Sequence, residues 1–192
     1  MQVSVDLSPL LTLSRADFQT LCAANPDRKL ERTAQGNLIV MAPTGGETGR
    51  YNSRLNAKLY QWNETQGRGE IFDSSTGFAL PLGGDRSPDL SWITLEKWQA
   101  LTPEQRRGFL PLCPDFAVEL LSPSDPWHQG QLKMEEYRDN GCRLGWLLDP
   151  KSGRVAIYRP DRPVEILQAP TTLSGEEVLP GFVLEVAFLW EN

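Results

Sequence analysis

Histidine and cysteine are scarce in this chain, and the scarcity closes off several chemistries at once. The single histidine, His128, rules out any metal site that needs two imidazoles. The three cysteines, Cys22, Cys113 and Cys142, are odd in number and lie far apart in the chain. No pair has metal-ligand spacing, so a zinc enzyme built on His and Cys is excluded. They read instead as buried thiols acting as small hydrophobes. Hydrophobic runs are short too: none approaches the roughly 20 residues a membrane span needs. The first residues lack the basic and apolar stretches of a signal peptide. A cytoplasmic protein with no membrane partner is the expectation. Excess positive charge is also missing. Lys and Arg number 19 against 25 Asp and Glu, a formal net charge of -6. That balance counts against a broad basic face for nucleic acid. A site that gathers carboxylates around a hard cation is itself acidic, however, and net charge does not describe local patches.

What is present suffices for one substantial core. The 192 residues are 40% hydrophobic and 23% charged, and a single domain over residues 1–192 is expected, with no linker and no repeat. Ser14 is placed to cap a helix over 15–24. Residues 30–33 and 37–41, joined by Ala34-Gln35-Gly36, read as a β-hairpin. A longer helix, about 47–66, repeats Leu55, Leu59 and Trp62 along one face, with Asn52 near that stripe. Short strands follow over 70–73 and 77–80, then near Asp89 and Glu119, with short helical pieces at 95–100 and 103–107 between. A helix over 129–140 closes at Gly141, and strands at 143–149, 155–158, 164–167 and 179–186 complete the chain. Strands dominate, and the class is mixed α/β or α+β.

Two carboxylates interrupt apolar strands. Glu119 sits in Phe116-Ala117-Val118-Glu119-Leu120-Leu121, a run closed by Ser-Pro-Ser-Asp. Buried ionised Glu is rare without a partner, so Glu119 is either a paired structural acid or a site residue. Asp89 stands at the mouth of Leu90-Ser91-Trp92-Ile93. Neighbouring strands lie about 4.8 Å apart, so acids at matching strand ends can share one cation. Oxygen ligands suit magnesium or manganese rather than zinc.

Several stretches stand together in order: Pro88-Asp89, the Glu119 strand with its Ser-Pro-Ser-Asp exit, the helix with Lys133, Tyr137 and Gly141, and Leu144-Gly145-Trp146-Leu147-Leu148-Asp149-Pro150. Together they resemble the Uma-two family of restriction-endonuclease-like proteins within the PD-(D/E)XK nuclease superfamily. Met41-Ala42-Pro43-Thr44-Gly45 and Leu179-Pro180-Gly181-Phe182 are similar as well, so the resemblance covers most of the chain. It implies a restriction-endonuclease-like core, a central mixed sheet flanked by helices, with the first helix and the hairpin as an N-terminal extension. It implies a magnesium- or manganese-dependent endonuclease acting on DNA; because cutting two strands commonly takes two sites, a homodimer is the expectation. Asp89 and Glu119 would bind the metal, joined by the Leu120 carbonyl, and Glu47 would be an auxiliary acid holding a water. The lysine belongs two residues after the second acid, where this chain has Leu121. Lys133 on the following helix is the candidate replacement, four residues from Tyr137 and so on its face; Arg86 could supply the positive charge instead. Plainer roles stand beside these. Glu119 can form a buried ion pair with Arg86 or Lys133, Lys133 can be a solvated surface residue, and Glu47 a helix first-turn acid. His128 reads as a loop residue, and Trp62, Trp92 and Trp146 as core. Without the lysine, a nuclease fold that only binds nucleic acid or a protein is the rival reading.

Overall fold

The computed structural model describes residues 2–5, 7 and 11–190. Its centre is a six-stranded sheet in the order β11-β10-β9-β8-β7-β4. These strands are β4 (Gly69–Asp73), β7 (Leu90–Thr94), β8 (Phe116–Leu120), β9 (Leu144–Asp149), β10 (Arg154–Tyr158) and β11 (Glu165–Gln168). Only β8 and β9 run parallel; the other neighbours are antiparallel. A parallel pair needs a crossover, and α5 (Trp127–Asp139) supplies it. The sheet is therefore mixed, and helices cover both faces.

Each face has its own core, assigned by strand alternation. Phe116, Val118 and Leu120 of β8 turn toward α2 (Gly46–Gln66), joining its Tyr51, Leu55 and Leu59 with Trp92 and Trp146. Ala117 lies on the opposite face with Leu147, Ala156 and Met134 and Tyr137 of α5. By the same alternation Glu119 must face α5.

Two glycines set how closely α5 approaches that face. A Cβ on Gly145 of β9 would come within 2.4 Å of Met134 Cε, and one on Gly130 of α5 within 2.7 Å of Leu147 Cδ1. A side chain at either position would force the Met134 or Leu147 side chain to shift.

A second sheet, ordered β1-β3-β2-β6-β5, lies at the N-terminal side. It comprises β1 (Gln2–Val5), β2 (Lys29–Arg32), β3 (Leu38–Met41), β5 (Phe78–Ala79) and β6 (Asp85–Arg86). β2 and β3 form the expected hairpin. Helix α1 (Arg15–Ala24) begins at Ser14, whose side chain accepts the Asp17 N–H, and it packs Phe18 against Leu30. The fully buried Asp85 ties these pieces together, accepting Arg32 Nε at 2.7 Å and Arg15 Nε at 2.9 Å. Strands over 70–73 and 78–79, adjacent in sequence, enter different sheets, because β4 pairs with β7 and β5 with β6. Between β7 and β8 run α3 (Leu95–Ala100) and α4 (Pro103–Arg107). A small pair, β12 (Thr172–Ser174) and β13 (Val183–Glu185), follows, and a short 3-10 turn over Ala187–Leu189 comes after it.

Sequence patterning missed β1 and β12, and it extended β13 back to Leu179. His128 lies in the first turn of α5 rather than in a loop. Cys113 and Cys142 are buried as expected, but Cys22 is only half-buried. Trp92 and Trp146 are core, and Trp62 packs half-buried at its edge. No described helix is long and apolar enough to cross a membrane.

Candidate active site

Strand register brings the two acids together. Leu90 pairs with Val118 at the end of the β7–β8 ladder, and one step further Asp89 stands opposite Glu119. Directly opposed residues share a face. The Leu120 N–H donates to Asp89 Oδ2 at 2.9 Å, which fixes the Asp89 carboxylate across the strand end. Both acids line a cavity of about 400 Å³. Its walls come from the hairpin (Lys29, Met41), the start of α2 (Thr48, Asn52), the turn after β8 (Ser122, Asp125) and α5 (Gln129, Gly130, Lys133).

Lys133 is the decisive side chain. It is buried, only 6% exposed, and its Nζ lies 2.9 Å from Glu119 Oε1. The solvated-surface reading is therefore wrong for it. Tyr137, one turn along α5 and fully buried, donates its hydroxyl to the same Glu119 Oε1 at 2.9 Å. The four-residue spacing puts both groups on the face that the two glycines press onto the sheet.

Glu31 of β2 is the residue the sequence did not reveal. It has no solvent exposure and accepts Lys133 Nζ at 2.8 Å, the Ser87 N–H at 2.9 Å and Arg86 Nη1 at 3.2 Å. Arg86 also donates to Glu136 of α5, through Nε at 2.7 Å. The result is an ionic layer, Glu119–Lys133–Glu31–Arg86–Glu136, running from this cavity through the buried Glu31 to the partly exposed Glu136, where Arg86, Lys133 and Glu136 line a second cavity. Arg86 braces Glu31 from behind and is not among the residues lining the first cavity. Glu47 is exposed, accepts a long hydrogen bond from the Tyr51 hydroxyl at 3.3 Å, and also lies outside that lining; its neighbour Thr48 is inside it. Leu121, at the position where a lysine was expected, lines the cavity and packs into the α5-side core.

The electrostatics separate these acids. Burial alone would raise Glu31, but Lys133 and Arg86 override it and hold the carboxyl at about 2. Burial raises Glu119 to about 7, with Asp89 and Glu31 adding repulsion that Lys133 only partly offsets. Asp89 is raised too, chiefly by burial, against the opposing pull of Lys29 and Lys133. Burial disfavours the Lys133 ammonium, yet Glu119 and Glu31 together raise its pKa. The cavity thus holds two acids short of positive charge beside a firmly protonated amine.

That donor set fits a hard divalent cation. Asp89 spends Oδ2 on the Leu120 N–H and Glu119 spends Oε1 on Lys133 and Tyr137. The second oxygen of each remains uncommitted among the described residues. Asn52 lines the same cavity, and its buried Oδ1 has no hydrogen-bond partner among them. No three His, Cys, Asp or Glu side chains converge among the described residues. Two carboxylates with water suit magnesium, which keeps several waters and binds through one or two carboxylates.

The family comparison gives the same answer as the order of the motifs. Residues 15–187 match the Uma2 family, described as "Putative restriction endonuclease". The chain belongs to the Uma2 family. A crystal structure of a "putative nuclease" from Anabaena variabilis has the same fold, with a TM-score of 0.72 at 19% identity. The match covers 85% of this chain and 90% of that one. No curated protein matches the chain. The Uma2 match spans both the hairpin that carries Glu31 and the helix that carries Lys133.

Proposed function

We propose that this Uma2 protein is a metal-dependent endonuclease that hydrolyses DNA phosphodiester bonds. The observation that carries the reading is the convergence of Asp89, Glu119 and Lys133 on one cavity, with Glu119 Oε1 2.9 Å from the amine. Asp89 and Glu119 would hold magnesium or manganese. Such an ion, when bound, lowers the pKa of a coordinated water and screens charge on the phosphate. Lys133 orients the attacking water and stabilises negative charge on the phosphate oxygens. Tyr137 fixes the Glu119 rotamer, and Glu31 keeps the ammonium protonated and aimed. Glu47, beside Thr48 at the rim, is left an outer role such as holding a water.

The test is calorimetry with manganese, paired with cleavage of plasmid and oligonucleotide DNA. Wild type should bind the ion and cut. Asp89→Ala should lose both, while Lys133→Met should keep ion binding and lose roughly 10²–10³-fold in rate, as when one charge-stabilising donor is removed. Absence of manganese binding to the wild type would sink the proposal.

One observation favours the rival, a nuclease fold that binds without cutting. The Lys133 amine is divided between Glu119 and Glu31, so less of its charge is free for a phosphate. Tight DNA binding with no cleavage at any manganese concentration would select that reading.

A further inference from the structure

The acidic chain carries one basic stripe. In α2, Arg50, Arg54 and Lys58 recur every four residues, and all three are exposed. Each immediately precedes a buried residue of the core stripe, Tyr51, Leu55 and Leu59. The basic row therefore lies about 100° around the helix from the buried one, and successive members are about 6 Å apart along the axis. None of the three forms an ion pair among the described residues.

Aromatic faces, not carboxylates, hold the two guanidinium groups. The Arg54 guanidinium carbon lies 3.9 Å from the centroid of the Phe188 ring, and that of Arg50 lies 5.0 Å from the Tyr51 ring. Those rings are themselves in contact, with centroids 5.9 Å apart. An arginine held on a ring keeps its in-plane N–H donors available, and these match phosphate geometry. A carboxylate partner would have consumed them. The residues of the same helix that wall the cavity, Thr48 and Asn52, lie on the other side of the buried stripe, about 140° around the helix from the basic row.

We propose that Arg50, Arg54 and Lys58 form a sequence-independent contact for the phosphate backbone of a nucleic acid along the exposed flank of α2. This rests on the nuclease reading for the kind of polyanion but not for the contact itself. The three cations extend over about 12 Å of helix axis, against a rise of about 3.4 Å per nucleotide of each strand, so the strip covers three to four nucleotides. The apolar face of α2 is buried in the core, so the helix has no apolar face to seat in a lipid surface; a single file of exposed cations then favours a phosphodiester chain over an anionic membrane.

The experiment measures binding of labelled single- and double-stranded oligonucleotides by anisotropy, without divalent metal, across a salt series. The variants are a triple Arg50→Gln/Arg54→Gln/Lys58→Gln chain and a charge-preserving Arg50→Lys/Arg54→Lys chain. All three sites are on the surface, and circular dichroism checks the fold. Each lost phosphate contact should flatten the log–log salt slope by about 0.7 for single strands and 0.9 for duplex. The triple variant should therefore bind roughly tenfold or more weakly at low salt and lose about 2 to 2.7 from the slope. The lysine variant should keep the wild-type slope. Equal binding by wild type and the triple variant would overturn the proposal, as would no oligonucleotide binding by wild type at low salt. Stripe-dependent binding to phosphatidylserine vesicles with none to oligonucleotides would overturn it too. Stripe-dependent oligonucleotide binding without manganese-dependent cleavage would refute the nuclease reading and leave this inference standing.

Discussion

The Lys133 ammonium lies 2.9 Å from Glu119 and 2.8 Å from Glu31, so a single buried cation bridges the cavity and the ionic layer behind it. Glu31 is fully enclosed and held at about 2, which means it stays charged across the working range and fixes that amine. Removing one partner of a buried ionic group costs far more than the intact group contributes, because the remaining charges stay desolvated. Glu31→Ala should destabilise the protein by about 3–5 kcal/mol, read from urea unfolding at neutral pH. A loss below about 1 kcal/mol would mean that water reaches Lys133 and Arg86 freely.

Stability should respond to Glu119 and Glu31 in opposite directions. Glu119 is raised from 4.5 to about 7, so the folded state holds its proton more tightly than the unfolded chain does. Its contribution is complete at acid pH and is lost as pH rises from about 4.5 to 7. Glu31 is depressed from 4.5 to about 2, so its contribution is present above 4.5 and is lost as pH falls through that interval. Glu31→Gln should therefore remove an acid-limb loss of stability, and Glu119→Gln a loss between mildly acidic and neutral pH. Unfolding free energies of the two variants from pH 3 to 8 distinguish these slopes.

Cation binding should carry the same signature. A proton on Glu119 competes with the ion, so manganese affinity should rise as pH increases toward 7 and level off above it, with protons released on binding. Calorimetry in buffers of different ionisation enthalpy counts those protons. A pH-independent affinity would show that Glu119 is not a ligand.

Tyr137→Phe removes a hydroxyl that donates to the Glu119 carboxylate at 2.9 Å. The lost bond to a charged acceptor should cost about 1.5–3 kcal/mol. A carboxylate stripped of a donor is harder to ionise, so the pH at which manganese affinity levels off should move upward. An unchanged profile would mean that the hydroxyl serves packing alone.

Gly145→Val places methyl groups where Met134 already comes within 2.4 Å of a bare Cβ position. Overpacking should cost about 1–3 kcal/mol. Met134 must repack against α5, and the resulting shift of that helix face should disturb the Lys133–Glu119 contact, so cleavage should fall more than stability accounts for, with manganese binding retained. Wild-type cleavage by this variant would separate the helix contact from the chemistry.

Much of this arrangement could be read from the chain. Glu119 stood out because it breaks an apolar strand, and Asp89 because it stands at the mouth of another; a carboxylate in either place needs a partner. Lys133 and Tyr137 were legible as a four-residue pair on one helix. Glu31 was not, because Lys29-Leu30-Glu31-Arg32 looks like one arm of a hairpin with a solvated face. Pairing of β2 with β6, from Arg32 to Asp85, instead sets Glu31 beside Ser87 and within reach of Lys133 on α5. Arg86 was tied to the acids by proximity in sequence, whereas its guanidinium turns away toward Glu31 and Glu136. Register and crossover decide both cases, and neither leaves a local trace.

The amine arrives on the crossover helix, and the acids on the strands beneath it. Any fluctuation that lifts α5 uncovers Glu119, strands Glu31 without its cation and disarms the centre in a single event. Amide hydrogen exchange along 127–139 should therefore slow in step when manganese occupies the cavity, making the helix a built-in reporter of whether the site is assembled.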